Sequence, residues 1–112
     1  MLLAAVHDLM FRSKIEQAAA QAGLPVRWLD GPEQAAGAAG EGHPLLVVDL
    51  DLGDAMPLIR AVKTRAPGCR VIGYYAHVEQ ALREEAVRAG CDQVMPRGAF
   101  AAGLPQLVRA AA

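Results

Sequence analysis

The chain has 112 residues, 54% hydrophobic and 21% charged, with a formal net charge of -1. That length suits one domain with a real core and is too short for two, and the composition is globular rather than disordered. No basic cluster marks a nucleic-acid surface, no apolar run approaches the roughly 18 residues that span a bilayer, and no basic leader opens the chain, so the expectation is a cytoplasmic protein with neither nucleic acid nor membrane as partner.

Leu2 to Val6 is an apolar run that predicts the first strand. Phe11, Ile15, Ala18, Ala19 and Ala22 then place a helical stripe on the segment from Asp8 to Ala22. Gly23 ends that helix and Pro25 prevents its return. Val26 to Leu29 predicts a second strand whose weak alternation suits a sheet edge, with Trp28 as a packing residue there. Between residues 30 and 44, Gly31, Pro32, Gly37, Gly40, Gly42 and Pro44 leave room only for a short, loosely held helix from Glu33 to Ala39.

The run Leu45-Leu46-Val47-Val48 reads as a buried third strand that ends in a carboxylate, Asp49. Asp54 is placed to cap the third helix, whose stripe is Ala55, Leu58, Ile59, Val62 and Ala66, with Pro57 in the first turn. Pro67-Gly68 ends it, and Arg70 to Tyr75 predicts the fourth strand. Val78, Leu82, Ala86 and Ala89 mark a fourth helix closed by Gly90. Asp92 to Met95 predicts a brief fifth strand. After Pro96-Arg97-Gly98 comes a last helix from about Leu104, with Pro105 at its first position and Leu107, Val108 and Ala111 facing inward.

Five strand–helix units in alternation imply a parallel sheet with right-handed crossovers and helices on both faces. The expected fold is therefore an α/β, flavodoxin-like three-layer sandwich over residues 1–112, its five-stranded parallel sheet in the order 2-1-3-4-5. Ligands gather beyond the carboxyl ends of such strands, which places Asp49 where chemistry is expected. Cys69 and Cys91 lack CxxC spacing and stand beside strands, pointing to buried reduced thiols. His43 and His77 have no ligand-like spacing.

On these residues the chain resembles the receiver domain of two-component response regulators along nearly its whole length. Asp49, in Val-Val-Asp-Leu, stands at the phosphoacceptor position, and Asp8 at the second member of the acidic pair after the first strand. Ala89-Gly90-Cys91-Asp92 is similar to the family's Ala-Gly-Ala-Asp before the fifth strand. The resemblance implies phosphorylation chemistry at Asp49, with Mg²⁺ held by Asp8, Asp49 and the backbone carbonyl of Asp51. It assigns a phosphate or switch role to Tyr75 and Arg97.

Several landmarks are altered. His7 replaces the first acid, Tyr75 the Thr or Ser after the fourth strand, Val94 the switch aromatic, Arg97 the Lys and Gly98 the Pro. The chain thus resembles the atypical or pseudo-receiver type, in which Mg²⁺ binding is expected to be weak because imidazole is a poor ligand for that ion. Arg97 would either hold phosphate bidentately or pair with Asp49 or Asp8. The Tyr75 phenol would reach either the Asp49 site or the surface between the fourth strand and fourth helix.

The expected function is that of a stand-alone receiver-like signalling protein of a two-component or related bacterial pathway, regulating a partner by protein–protein contact, and not an enzyme. Its partner would be a histidine kinase or output protein, met on the face of helix four, strand five and helix five, where Arg83, Glu84, Glu85 and Arg88 form a solvated surface. A small enzyme or nucleotide-binding protein on the same fold is the alternative, disfavoured because His7-Asp8-Leu9-Met10 follows the first strand where a Gly-rich phosphate loop would stand. A subunit acting through homodimerisation is a third reading.

Overall fold

The computed structural model describes residues 1–39, 45–76 and 79–111. Gly40, Gly42, His43, Pro44, His77 and Val78 lie outside the described residues. Strands and helices alternate: β1 Leu2–Ala5, α1 Leu9–Gln21, β2 Val26–Trp28, α2 Pro32–Ala39, β3 Leu45–Asp49, α3 Ala55–Arg65, β4 Arg70–Tyr75, α4 Gln80–Ala89, β5 Gln93–Pro96 and α5 Arg97–Ala111. The strands form one sheet in the order β2-β1-β3-β4-β5, every neighbouring pair parallel. This is the doubly wound arrangement that the alternation predicts, with β2 at an edge.

Period-two alternation along the central strands divides the core into two layers. Leu2, Ala4, Val6, Leu45, Val47, Ile72 and Tyr74 lie with Phe11, Ile15, Phe100, Leu104 and Val108, beneath α1 and α5. Leu3, Ala5, Leu46, Val48, Leu50, Val71 and Tyr75 lie with the buried residues of α2, α3 and α4. Because both faces are covered, β3 is apolar throughout up to Asp49, as expected of a buried parallel strand.

Helix ends follow local chemistry, with some departures from the sequence expectation. Asp8 caps α1, its Oδ1 accepting the Phe11 N–H at 3.1 Å. Asp54 precedes α3 but makes no side-chain capping hydrogen bond; the turn closes instead through Leu52 N–H to Asp49 O and Ala55 N–H to Leu52 O. Gly90 ends α4 at φ 126°. A Cβ there would also stand 2.7 Å from Lys63 Cγ, so glycine is required twice over.

Two helices differ from the sequence expectation. The second begins at Pro32 and is not loosely held: Ala35, Ala38 and Ala39 are buried against α3, because alanine lets the two helices approach closely. The fifth begins at Arg97 rather than near Leu104, placing Pro105 in its interior. Phe100, Leu104 and Val108 recur every fourth residue and are all buried, and this stripe outweighs the roughly 3 kcal/mol disadvantage of an interior proline, whose ring lies on the exposed side. Leu107 and Ala111 are only partly buried beside that stripe.

At the end of the sheet away from Asp49, Asp92 is an anchor rather than part of β5. Its Oδ2 accepts from Lys63 Nζ at 2.8 Å and from the Val71 N–H at 2.7 Å. Cys69 and Cys91 are buried free thiols, as expected; burial pushes the Cys91 thiol up to about 12, which leaves it unreactive.

One packing feature positions the loop after Asp49. Gly73 in β4 pairs in register with Val48, and a Cβ on Gly73 would come within 2.7 to 2.9 Å of three Leu50 side-chain carbons. Leu50 therefore lies across the bare backbone of β4, while its N–H donates to Tyr74 O at 2.8 Å. Gly73→Ala is predicted to destabilise the protein by about 1–3 kcal/mol through overpacking, measured by urea denaturation against the parent chain.

Candidate functional site

The loops after β1, β3 and β4 meet at the carboxyl edge of the sheet and bring three carboxylates together. Asp8 follows β1 and caps α1; Asp49 ends β3; Asp51 lies in the turn that Leu50 anchors. Asp49 Oδ1 accepts the Asp51 N–H at 2.9 Å. Asp51 Oδ2 accepts the Ala76 N–H at 2.9 Å, tying the loop after β3 to the loop after β4. Each of these bonds, and the cap from Asp8, uses one oxygen of its carboxylate.

Electrostatics single out Asp49. Burial holds its carboxyl above the usual carboxylate range, opposed by the Asp51 N–H and reinforced by the charges of Asp51 and Asp8. His7 pulls the other way, and its exposed side chain is otherwise solvated. Two acids close enough to disfavour ionisation of a third form an oxygen-rich, negatively charged cluster, a donor set that fits a hard cation retaining much of its water. Among the described residues no three His, Cys, Asp or Glu side chains converge into a tight metal cage, so such an ion would rely on backbone oxygen and water for its remaining ligands.

The other expected residues are distributed unevenly. Arg97 opens α5 with its guanidinium carbon 5.8 Å from the centre of the Phe11 ring, and among the described residues it makes no ion pair with Asp49 or Asp8. Tyr75 is buried in the layer under α3 and α4, with Arg83 6.0 Å from its ring centre, on the opposite face of the sheet from Asp49 and within the core rather than on the surface. Val94 is partly buried in the same layer. Gly98 lies in the first turn of α5, and a Cβ there would meet nothing within 4 Å.

Sequence reasoning missed Tyr74. It is the register partner of Asp49, so the two side chains leave the sheet on the same face. Its ring is stacked between Phe11 and Phe100, with centroids 5.1 and 4.6 Å away. Its hydroxyl is buried without a hydrogen-bond partner among the described residues. Burial pushes the phenol's ionisation up, followed by the charges of Asp49 and Asp8, with Arg97 opposing, so the hydroxyl lies within electrostatic reach of the acids. Alternation along Val71-Ile72-Gly73-Tyr74 was the available signal, since it puts Tyr74 and not Tyr75 on Asp49's face.

No family model and no curated protein matches the chain. Solved structures do. A response regulator from Thermotoga maritima superposes with a TM-score of 0.77 at 20% identity, covering 97% of this chain and 93% of that one. The fold is that of a response-regulator receiver domain. The receiver domain of a sensor histidine kinase from Pseudomonas aeruginosa, which has a magnesium ion coordinated in its active-site cleft, gives 0.77 at 19% identity over 98% and 94% of the two chains. A response regulator from Burkholderia pseudomallei, with a phosphorylated aspartic acid, a calcium ion and citrate, gives 0.77 at 22% identity; it covers 98% of this chain, which spans 64% of that protein's length.

On this receiver fold the cost of holding Asp49 ionised can be measured directly. A folded-state pKa raised above the unfolded value means that stability falls as pH rises from the unfolded value, near 3.8, through the folded one. Asp49→Asn keeps the acceptor for the Asp51 N–H and removes the charge. It is predicted to raise the melting temperature at pH 7, with the advantage disappearing as pH is lowered below the ordinary carboxylate range, followed by thermal denaturation across pH. Separately, Asp51→Ala should speed amide exchange at Ala76 on the order of tenfold by removing its charged acceptor, as read by NMR hydrogen exchange.

Proposed function

We propose that the chain is a receiver-like signalling module of the two-component type, regulating a protein partner, with Asp49 as its phosphoacceptor. The observation that carries this reading is the half-buried Asp49 carboxylate, its proton affinity raised by burial and by two neighbouring acids, at the carboxyl edge of a receiver-fold sheet. A more basic carboxylate is a better nucleophile at the pH where it is still ionised. An Asp49 oxygen attacks the phosphorus of a donor such as acetyl phosphate, the bond from phosphorus to the donor oxygen breaks, and acetate leaves with the electron pair.

Asp8, Asp49 and the backbone carbonyl of Asp51 would hold Mg²⁺, which supplies neutralising charge for the transferred group. Exchanging an acid for His7 keeps this binding weak. Arg97, at the first position of α5 and over Phe11, would be the cation that pairs with phosphoryl oxygens. On the partner side, α4 offers a charged face around Val87, which is 60% exposed between Glu84 and Arg88, and this supports docking over α4, β5 and α5 to a histidine kinase or output protein. A nucleotide-binding role is disfavoured because the Asp8 carboxylate occupies the N-terminus of α1, where phosphate would otherwise bind.

One observation favours a second reading, a pseudo-receiver that signals without phosphorylation. The Asp51 carboxylate already holds the Ala76 N–H, so an internal acid joins the two loops that a phosphoryl group would bridge. Incubation with acetyl phosphate and Mg²⁺, followed by intact-mass measurement, separates the two. The phosphoacceptor reading predicts one added phosphoryl group, lost in Asp49→Asn and reduced by chelation of Mg²⁺. A chain that takes up no adduct contradicts it and leaves the fixed module.

A further inference from the structure

The Tyr74 hydroxyl is polar, 2% exposed as a residue and without a hydrogen-bond partner among the described residues, which is a costly state for a donor unless something that enters the neighbouring site accepts its hydrogen bond. Its ring has little freedom, because Phe11 at the start of α1 and Phe100 at the start of α5 stack on either face. Its strand partner on one side is Asp49, and on the other Met95 of β5. Among the described residues the charges that bear on it are those of Asp49, Asp8, Arg97 and Asp51, all at the carboxyl edge. Burial and the charges of the nearby acids keep the proton on the phenol, so toward carboxylates, which only accept, it acts as a donor.

We infer that the Tyr74 hydroxyl is the inner hydrogen-bond donor of the Asp49 site, donating to an oxygen of the oxyanion carried on the Asp49 carboxylate. This rests on the phosphoacceptor reading of Asp49 and extends it. Tyr74 shares Asp49's face of the sheet as its register partner, whereas Arg97 stands at the start of α5. The hydroxyl that Tyr75 cannot supply, being committed to the other core layer, is thereby supplied one residue earlier.

The test compares the full-length chain with Tyr74→Phe, Tyr75→Phe and Asp49→Asn. Each is treated with Mg²⁺ and acetyl phosphate, or with Mg²⁺ and beryllium fluoride as a phosphoryl mimic that binds carboxylates without group transfer. Adduct lifetime is read by intact mass, and phenol hydrogen bonding by ultraviolet difference absorption of tyrosine. Tyr74→Phe keeps the stacked ring and is expected to fold with an undiminished melting temperature. The phosphoryl adduct should persist about tenfold less long in Tyr74→Phe, and the tyrosine difference signal should vanish there but remain in Tyr75→Phe. Equal lifetimes together with an unchanged signal in Tyr74→Phe overturn the inference while the phosphoacceptor reading stands. A Tyr74-dependent signal with beryllium fluoride, but no mass adduct in the parent chain, overturns phosphoryl transfer and supports the donor role. Neither adduct nor signal in the parent overturns both.

Discussion

The seating of Leu50 across Gly73 governs the geometry of the carboxyl edge. A glycine in β4 leaves space for the leucine that follows Asp49, and the same residue's N–H pairs with Tyr74 O. With Leu50 directed toward α3 and α4, alternation sends Asp49 toward α1 and α5, where Asp8 and Tyr74 already stand. The next residue, Asp51, is left to reach both Asp49 and Ala76. A one-residue slip of this strand end would turn Asp49 away from the face that carries Tyr74.

The resulting site is held under electrostatic tension. Three carboxylates gather at Asp49, which is partly buried while Asp8 and Asp51 are exposed; His7, which opposes their effect, is exposed, and Arg97 lies against Phe11. Backbone N–H groups relieve part of this by donating to each acid, yet Asp49 still holds its proton more tightly than a free carboxyl. Stability is given up at the site and recovered in the layers beneath it, where central strands are buried on both faces and Phe11, Tyr74 and Phe100 form a continuous stack.

The fold was legible because its signals are local and repeated: apolar runs, helical stripes, and Gly or Pro between them. β4 runs from Arg70 to Tyr75 as expected, and Gly90 closes α4. Where reading failed, a tertiary contact had overridden a local cue. Pro105 suggested a helix start, but burial of Phe100 extends α5 back to Arg97. Gly and Pro around α2 suggested looseness, but its alanines fit closely against α3. At the site, Asp8 and Asp49 follow from their positions after the first and third strands, whereas Tyr74 shows only in the pairing of β3 with β4, which fixes the face each tyrosine occupies.

The central claim is that Asp49 stands in a buried, like-charged setting built by its neighbours. Titration of its side-chain carboxyl carbon by NMR tests this most directly. The account predicts a midpoint above the ordinary aspartate value that moves back toward it when Asp8 is replaced by Asn. A midpoint at or below the ordinary value, unmoved by that replacement, would contradict it.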